Sequence, residues 1–334
     1  SLDECSLGFQ NSTFFIENQK ISFDEILDIN DFKFQTNNMT SNFNISSIDA
    51  FVSPDYLEKY KFFQIIGHKF ANQQFQSQNE IDGSIEKIKI VELTTNLSLQ
   101  IPTIKIECNS SCIIEIPLIQ FHNLILNEIE IQFNLDKSIS DTIIDIFINS
   151  IEFEYTHYFA MVAFNAYKAY QNILSQNDFN IKYITFANID TIKLIENSLP
   201  NPIIISKLVF EKDSQKTEIK CNSIDFFKFI EKRNKNEKSF FFIIQKTDSD
   251  TKILINSIDM FVNIDITKSL IGIYESLKAI FSTDFKETFS NLVKNTIKFE
   301  SHEIQIHLPY EKDLFKRNCL IISFDLLIDV NYDV

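Results

Sequence analysis

The sequence predicts a mostly β protein, a long antiparallel twisted sheet with one apolar face and short helices in its connections. Three observations carry that prediction. The longest apolar segments alternate with period two; glycine and proline are scarce, at four and six in 334 residues; and one five-residue word recurs ahead of segments with helical spacing. Ordinary usage is about 7 % Gly and 5 % Pro, so tight hairpin turns are few and long strands joined by polar loops are expected.

The clearest strand is the last. Leu320, Ile322, Phe324, Leu326, Ile328 and Val330 fall on one side, with Ser323, Asp325 and Asp329 on the other. Alternate side chains of a strand point to opposite faces, so this pattern means one apolar and one wet face. Ile129, Ile131, Phe133 and Leu135 alternate with Glu128, Glu130, Gln132 and Asn134 in the same way. Ile144, Ile146 and Ile148 follow, and the phase then switches to Ile151, Phe153 and Tyr155, which a β-bulge near Asn149 would explain.

Helical spacing begins after Thr156, where Phe159, Val162, Ala163, Ala166, Ala169, Tyr170 and Ile173 form one stripe. It returns after Thr267 with Leu270, Ile273, Tyr274, Leu277, Ile280 and Phe281. A weaker stripe runs from Asp55 to Phe70, and a short helix is expected from Asp284 to Lys294 with Asp284 and Glu287 as its cap pair. The words Ile45-Ser46-Ser47-Ile48-Asp49, Ile148-Asn149-Ser150-Ile151-Glu152 and Ile255-Asn256-Ser257-Ile258-Asp259 precede the three stripes, 103 and 107 residues apart. Cys221-Asn222-Ser223-Ile224-Asp225 repeats the word with no helix behind it. Five strands are expected between the first and second stripes (84–93, 95–107, 112–120, 123–136, 142–155) and five more between the second and third (181–189, 202–212, 216–230, 239–246, 252–265). The expected unit is five strands and a helix, dividing the chain into residues 1–71, 72–176, 177–295 and 296–334.

A net charge of −15 argues against nucleic acid as a partner, because phosphate is bound by Lys and Arg that displace its counterions. It argues equally against docking on anionic lipid by charge alone. No run of eighteen or more apolar residues is present, so no membrane-spanning helix is expected. No signal peptide opens the sequence, which starts at Ser1, and the chain is expected to be an internal piece of a longer one. Cys5, Cys108, Cys112, Cys221 and Cys319 are odd in number and irregularly spaced, which suits a reducing compartment better than a disulfide framework. Sequons at Asn11, Asn38, Asn44, Asn96 and Asn109 are what an Asn- and Ser-rich sequence produces by chance.

No catalytic site is expected. The sequence contains neither a P-loop nor a GxGxxG motif, and four glycines could hardly build a phosphate cradle. His302-Glu303 and His307 approach a zinc-protease pattern, but three residues separate Glu303 from His307 instead of two. On a strand an offset of five also sends the two histidines to opposite faces, so they read as solvated strand histidines. Cys108 and Cys112 lack two further metal ligands and read as half-buried thiols. The run Lys232-Arg233-Asn234-Lys235, with Lys238, reads as a loop, and Asp24-Glu25 through Asp28 and Asp31 as a solvated face.

Five antiparallel strands followed by a helix-started crossing segment resemble the unit of the repeating β-groove proteins. Val262-Asn263-Ile264-Asp265-Ile266-Thr267-Lys268-Ser269-Leu270-Ile271 is similar to a strand-to-helix junction of the chorein-type vacuolar-protein-sorting family of bridge-like lipid-transfer proteins. Phe153-Glu154-Tyr155-Thr156-His157-Tyr158-Phe159 resembles its aromatic junction, and Ile297 to Val330, with Leu308-Pro309 closing the first strand, resembles its proline-ended strand pair. The glycine usual after the last aliphatic strand of that pair is replaced by Leu326-Leu327-Ile328. The resemblance covers residues 85 to 334. It implies a repeating β-groove whose apolar floor carries glycerophospholipid acyl chains between membranes at contact sites, with no cofactor. It also implies cytoplasmic, peripheral membrane localisation and adaptor proteins among the partners. The groove residues would be Leu97, Leu99, Ile129, Ile131, Phe133, Leu135, Ile144, Ile146, Ile148, Val262, Ile264, Ile266, Ile304, Ile306, Leu320, Ile322, Phe324, Leu326 and Ile328. A β-repeat or sandwich scaffold for protein partners is the alternative, and a secreted adhesin-like protein would carry glycans and pair its cysteines.

Overall fold

The computed structural model describes residues 5–9, 13–16, 19–22, 27–30, 32–36, 40–53, 80–93, 95–109, 111–134, 142–162, 164–165, 183–197, 199, 201–213, 215–225, 230–232, 240–247, 250–256, 258–261, 267–269, 271–272, 275, 296–309 and 319–330. They form a mostly β protein with few helical residues. The chain divides into two compact units, one of residues 1–145 with 162–181 and the other of residues 146–161 with 182–334.

In the first unit β1 (Cys5–Phe9), β2 (Thr13–Ile16), β3 (Gln19–Ser22), β4 (Leu27–Asn30) and β5 (Phe32–Thr36) come first, with β2 and β3 forming their own hairpin. Next are β6 (Thr40–Ile45), β7 (Ser47–Val52), β8 (Glu80–Ile85), β9 (Ile88–Glu92), β10 (Ser98–Ile101), β11 (Ile104–Cys108), β12 (Ser111–Phe121) and β13 (Leu124–Asn134). Several of these are halves of one long strand. β10 and β11 part at Pro102, which has no N–H for the ladder, yet both halves pair with β12 in one register. β6/β7 and β8/β9 break side by side, and Glu86 N–H to Ile45 C=O and Ile48 N–H to Lys87 C=O, both 2.8 Å, carry the ladder across.

Pairing is antiparallel from β4/β5 to β6/β7, from β8/β9 to β10/β11, and on to β12 and β13. The exception is β6/β7 against β8/β9, which run parallel. Parallel neighbours cannot be joined by a hairpin and need a crossing connection. The connection here spans residues 54–79, so the helix expected over Asp55 to Phe70 lies outside the described residues.

The chain continues with β14 (Thr142–Glu154), β15 (Tyr183–Ile195), β16 (Ile203–Lys212), β17 (Lys216–Asp225), β18 (Ile230–Lys232), β19 (Phe242–Thr247), β20 (Asp250–Ile255), β21 (Ile258–Phe261), β22 (Thr296–Pro309) and β23 (Cys319–Val330). β14 runs as a strand through Asn149. A helical segment at 157–162 and 164–165 follows it, and the Thr156 hydroxyl accepts the Phe159 N–H at 3.2 Å as its N-cap. Phe159 is buried and packs on Phe153, ring centres 5.8 Å apart. Helical residues recur at 267–269, 271–272 and 275, while Leu270, Ile273, Tyr274, Leu277, Ile280, Phe281 and the span 284–294 lie outside the described residues.

β14 and β15 are neighbours across the first of these segments. Glu152 meets Lys193 at 3.4 Å and Tyr155 N–H donates to Ile195 C=O at 2.8 Å, contacts that advance together along both strands as in a parallel pair. β15, β16, β17 and β19 then pair antiparallel in turn, as do β19 with β20 and β18 with β21. β20 and β21 both run parallel to β22 across the second helical segment, and β23 closes antiparallel on β22. Among the described residues, and with split strands taken together, five strands lie in chain order between successive parallel junctions: β8/β9, β10/β11, β12, β13 and β14, then β15, β16, β17/β18, β19 and β20/β21.

Two strands carry a left-handed residue in mid-course. Glu128 (φ 50°) stands opposite Pro117, and Lys207 (φ 54°) opposite Asp190 and Asn222. The ladder skips both positions without losing register. Near Lys207 the skip changes which side chains share a side, since Ile205 and Leu208, three apart, pack on one core cluster of Cys221, Phe241, Ile258 and Ile304. A register shift between Ser301 and Ile304 does the same for β22.

Candidate functional site

Residues directly opposite in register share a face, so the pairings sort the side chains of each unit. In the second unit Phe210, Ile219, Ile244, Ile253, Phe299 and Ile328 are successive partners across six strands. Leu208, Cys221, Phe242, Ile255, Ser301 and Leu326 form the neighbouring row on the same face. The opposite face carries Glu211, Glu218, Gln245, Lys252 and Lys298 in one row. Each member of the Phe210 to Phe299 row is half-buried, and Ile328 is exposed.

The first unit repeats the arrangement. Phe43, Gly83, Ile106, Ile114 and Ile131 make an apolar row, while Asn44, Ser84, Lys105, Glu115 and Glu130 make a polar row on the other face. Exposure follows: Lys105, Glu115 and Glu130 are exposed, and Ile106, Ile114 and Ile131 are half-buried. Ile116 and Ile129 are a buried partner pair beside them.

Several residues expected from the sequence fall in this pattern. Ile131 and Phe133 are partners of Ile114 and Cys112. Ile304 faces Ile258 and Phe324, and Ile306 faces Met260 and Ile322. Ile144, Ile146 and Ile148 are half-buried, with Asp145 and Phe147 exposed between them. Leu99 pairs with Ile90 and Phe121, whereas Leu97 is buried in the connection ahead of β10. Leu320 faces Leu308, and Leu320, Ile322, Phe324 and Ile328 are all exposed. Leu135, Val262, Ile264 and Ile266 lie outside the described residues. Ile321 and Leu327 on the other side of β23 are exposed as well, at 49 % and 71 %, although the alternation placed the apolar side chains of that strand on one face.

The middle of the second-unit row leaves no alternation in the sequence. Phe240-Phe241-Phe242-Ile243-Ile244 is an unbroken apolar run with no phase to read. The left-handed Lys207 hides the phase of β16, and Ile219 and Ile253 stand in strands whose alternation is short.

The polar face is knit by charge. Glu218 is buried near the start of β17, where its carboxylate accepts from Gln245 Nε2 at 2.7 Å and pairs with Lys216 and Lys220. Burial by itself would push this carboxyl up, but the bonds from Lys216, Lys220 and Gln245 outweigh it and hold the pKa at about 2. Lys220 also lies over the Phe240 ring at 5.6 Å, and Lys252 reaches Glu300 at 3.1 Å. In the β16–β17 turn the Asp213 carboxylate accepts the Gln215 and Lys216 N–H groups at 2.7 Å each, which lowers its pKa.

Two sequence expectations need correction. Cys108 and Cys112 are not half-buried thiols: both are buried and joined as a disulfide, because β11 and β12 place them directly opposite each other. His307 is not a solvated strand histidine, since its side chain is 15 % exposed and its Nε2 lies 3.6 Å from Asp259 Oδ1. Parallel pairing of β21 with β22 brings the two together. The side chains of His302 and Glu303 lie outside the described residues. Among the described residues no helix is long and apolar enough to cross a membrane.

These features define a class: a mostly β protein in which each unit aligns rows of apolar side chains on one face of its strands and rows of polar and charged ones on the other. No family model matches the chain, and no curated protein matches it. Among solved structures it is similar to the sex pheromone staph-cAM373 precursor, at 12 % identity over 60 % of this chain and 76 % of that one, with a TM-score of 0.13. A second is the C-terminal domain of the staph-cAM373 precursor from Staphylococcus aureus, at 15 % identity over 60 % and 69 % of the two chains, with a TM-score of 0.14.

Proposed function

We propose that this chain is a segment of a bridge-like lipid-transfer protein of the chorein-type vacuolar-protein-sorting kind, built of repeating β-groove modules. In this reading the apolar strand faces line a groove that carries glycerophospholipid acyl chains between membranes, and the charged faces lie outside. The observation that carries it is the row Phe210, Ile219, Ile244, Ile253, Phe299 and Ile328, in which no member is fully buried. An apolar sheet face is stable only when something covers it, and contiguous exposed apolar surface marks a binding surface. The five-strand interval between parallel junctions among the described residues supports the same reading, since an odd number of strands followed by a crossing returns each module to its starting side.

The energetics suit a conduit. At about 0.8 kcal/mol per buried methylene, two acyl chains would gain on the order of 20 kcal/mol on entering such a face. The membrane they leave offers an equal gain, so transfer along the groove is near neutral. The protein would act without catalysis or cofactor, at the cytoplasmic surface of membrane contact sites, with phospholipids as cargo and adaptor proteins as further partners.

Native mass spectrometry of the chain purified from cells, followed by lipid extraction, tests this reading against a globular control of similar size. Several co-purified phospholipids per chain are expected. A folded, lipid-free monomer with no dye-accessible apolar surface would overturn the reading in favour of a β-repeat scaffold for protein partners.

A further inference from the structure

Cys108 ends β11 and Cys112 is the second residue of β12, so the disulfide between them closes the loop end of one hairpin. Within that loop Asn109 N–H donates to Ser111 C=O at 3.0 Å, and Asn109 is exposed. The pair stands in register with Ile81 on one side and Phe133 on the other, on the apolar side of the first unit. A bond between residues four apart adds little restraint to the unfolded chain, because disulfide stabilisation grows with the loop it closes. The hairpin also holds its register without it, through Lys105 opposite Glu115, Ile106 opposite Ile114 and Glu107 opposite Ile113. The bond therefore adds little to the stability of the hairpin; both cysteines are buried, beside the exposed Asn109 at its loop end, so thiol exchange requires that end to open.

We propose that Cys108 and Cys112 form a redox-responsive clasp, a disulfide under oxidising conditions and a dithiol under reducing ones, at the loop end of the β11–β12 hairpin. Closure uses a low-molecular-weight disulfide as oxidant. One thiolate attacks it, forming a mixed disulfide and releasing one thiol; the second thiolate attacks the protein sulfur of that intermediate, forming the Cys108–Cys112 bond and expelling the second thiol. Two protein thiols lose two electrons in total, and the oxidant is reduced to two thiols. Opening reverses each step with excess thiol. The closed clasp holds together the strand ends that lie between Ile81 and Phe133, and the open one lets them fray. This inference stands independently of the lipid reading.

The test equilibrates the purified chain in glutathione buffers of varied oxidised-to-reduced ratio and quantifies alkylation of the peptide carrying both cysteines by mass spectrometry. A reversible transition is expected, with no free thiol at the oxidised end and both thiols alkylated at the reduced end. Amide hydrogen exchange over residues 107–112 should speed up several-fold on reduction, and in Cys108→Ser/Cys112→Ser it should match the reduced chain in either buffer. The Cys221→Ser variant should titrate like the parent. A pair that stays oxidised in excess reduced glutathione, a pair that stays alkylatable in excess oxidised glutathione, or exchange that does not respond to redox state would each overturn the proposal.

Discussion

The ring of Phe43 occupies the space that a Cβ at Gly83 would need, so two strands running parallel come together with glycine as the partner of an aromatic residue. Gly83 is buried under that ring, and it interrupts the apolar row where a side chain would force the ring aside. Gly83→Ala is expected to destabilise the chain by about 1–3 kcal/mol through overpacking. Adding Phe43→Leu to the same chain should return part of that loss, because the smaller side chain leaves room. Urea unfolding of the two single variants and the double variant measures the coupling; additive effects would mean that the ring and the glycine do not compete for space.

Acid sensitivity should centre on Glu218. Its carboxyl binds a proton less tightly in the folded chain, at a pKa of about 2, than at its ordinary value of 4.5. Its contribution is thus complete above the ordinary value and is lost as pH falls from there towards 2, a change on the order of 3 kcal/mol. Glu218→Gln should cost about 1–3 kcal/mol at neutral pH and flatten the fall in stability below pH 4.5. Equal pH slopes for the two chains would show that other carboxylates govern acid unfolding.

Left-handed backbone at Lys207 predicts an unusual gain from glycine inside a strand. A side chain at φ 54° pays roughly 1–2 kcal/mol, more than the roughly 0.5–1 kcal/mol that glycine loses in chain entropy. Lys207→Gly should therefore stabilise by about 0.5–1 kcal/mol, and Lys207→Val should destabilise. Thermal unfolding of both variants checks the signs.

Exposed and central positions of the apolar face should separate binding from folding. Phe324 is 36 % exposed on β23, so Phe324→Glu is expected to change stability by less than about 1 kcal/mol while lowering the phospholipid recovered with the chain. Ile244→Glu, in the centre of the six-strand row, should lower it further. Unchanged lipid recovery in both folded variants would separate this face from the cargo.

The period-two alternation of Ile129, Ile131 and Phe133, and of the residues from Leu320 to Ile328, was enough to identify strands, because each side chain's face depends only on its neighbours in sequence. The helix start at Thr156 was legible for the same reason, since a cap and the first turn lie within four residues.

Tertiary structure decided which strands meet and what lies beside what. The parallel pairing of β20 and β21 with β22 joins segments distant in sequence, and it alone puts Ile253 beside Phe299 and His307 beside Asp259. The disulfide, the Gly83 contact and the buried Glu218 cluster depend in the same way on partners from other strands. Local periodicity encodes the direction in which a side chain points, but register across a sheet is the outcome of all the strands packing at once. The sequence by itself therefore determined two-faced strands, and only the folded chain decided that their apolar sides align into continuous rows.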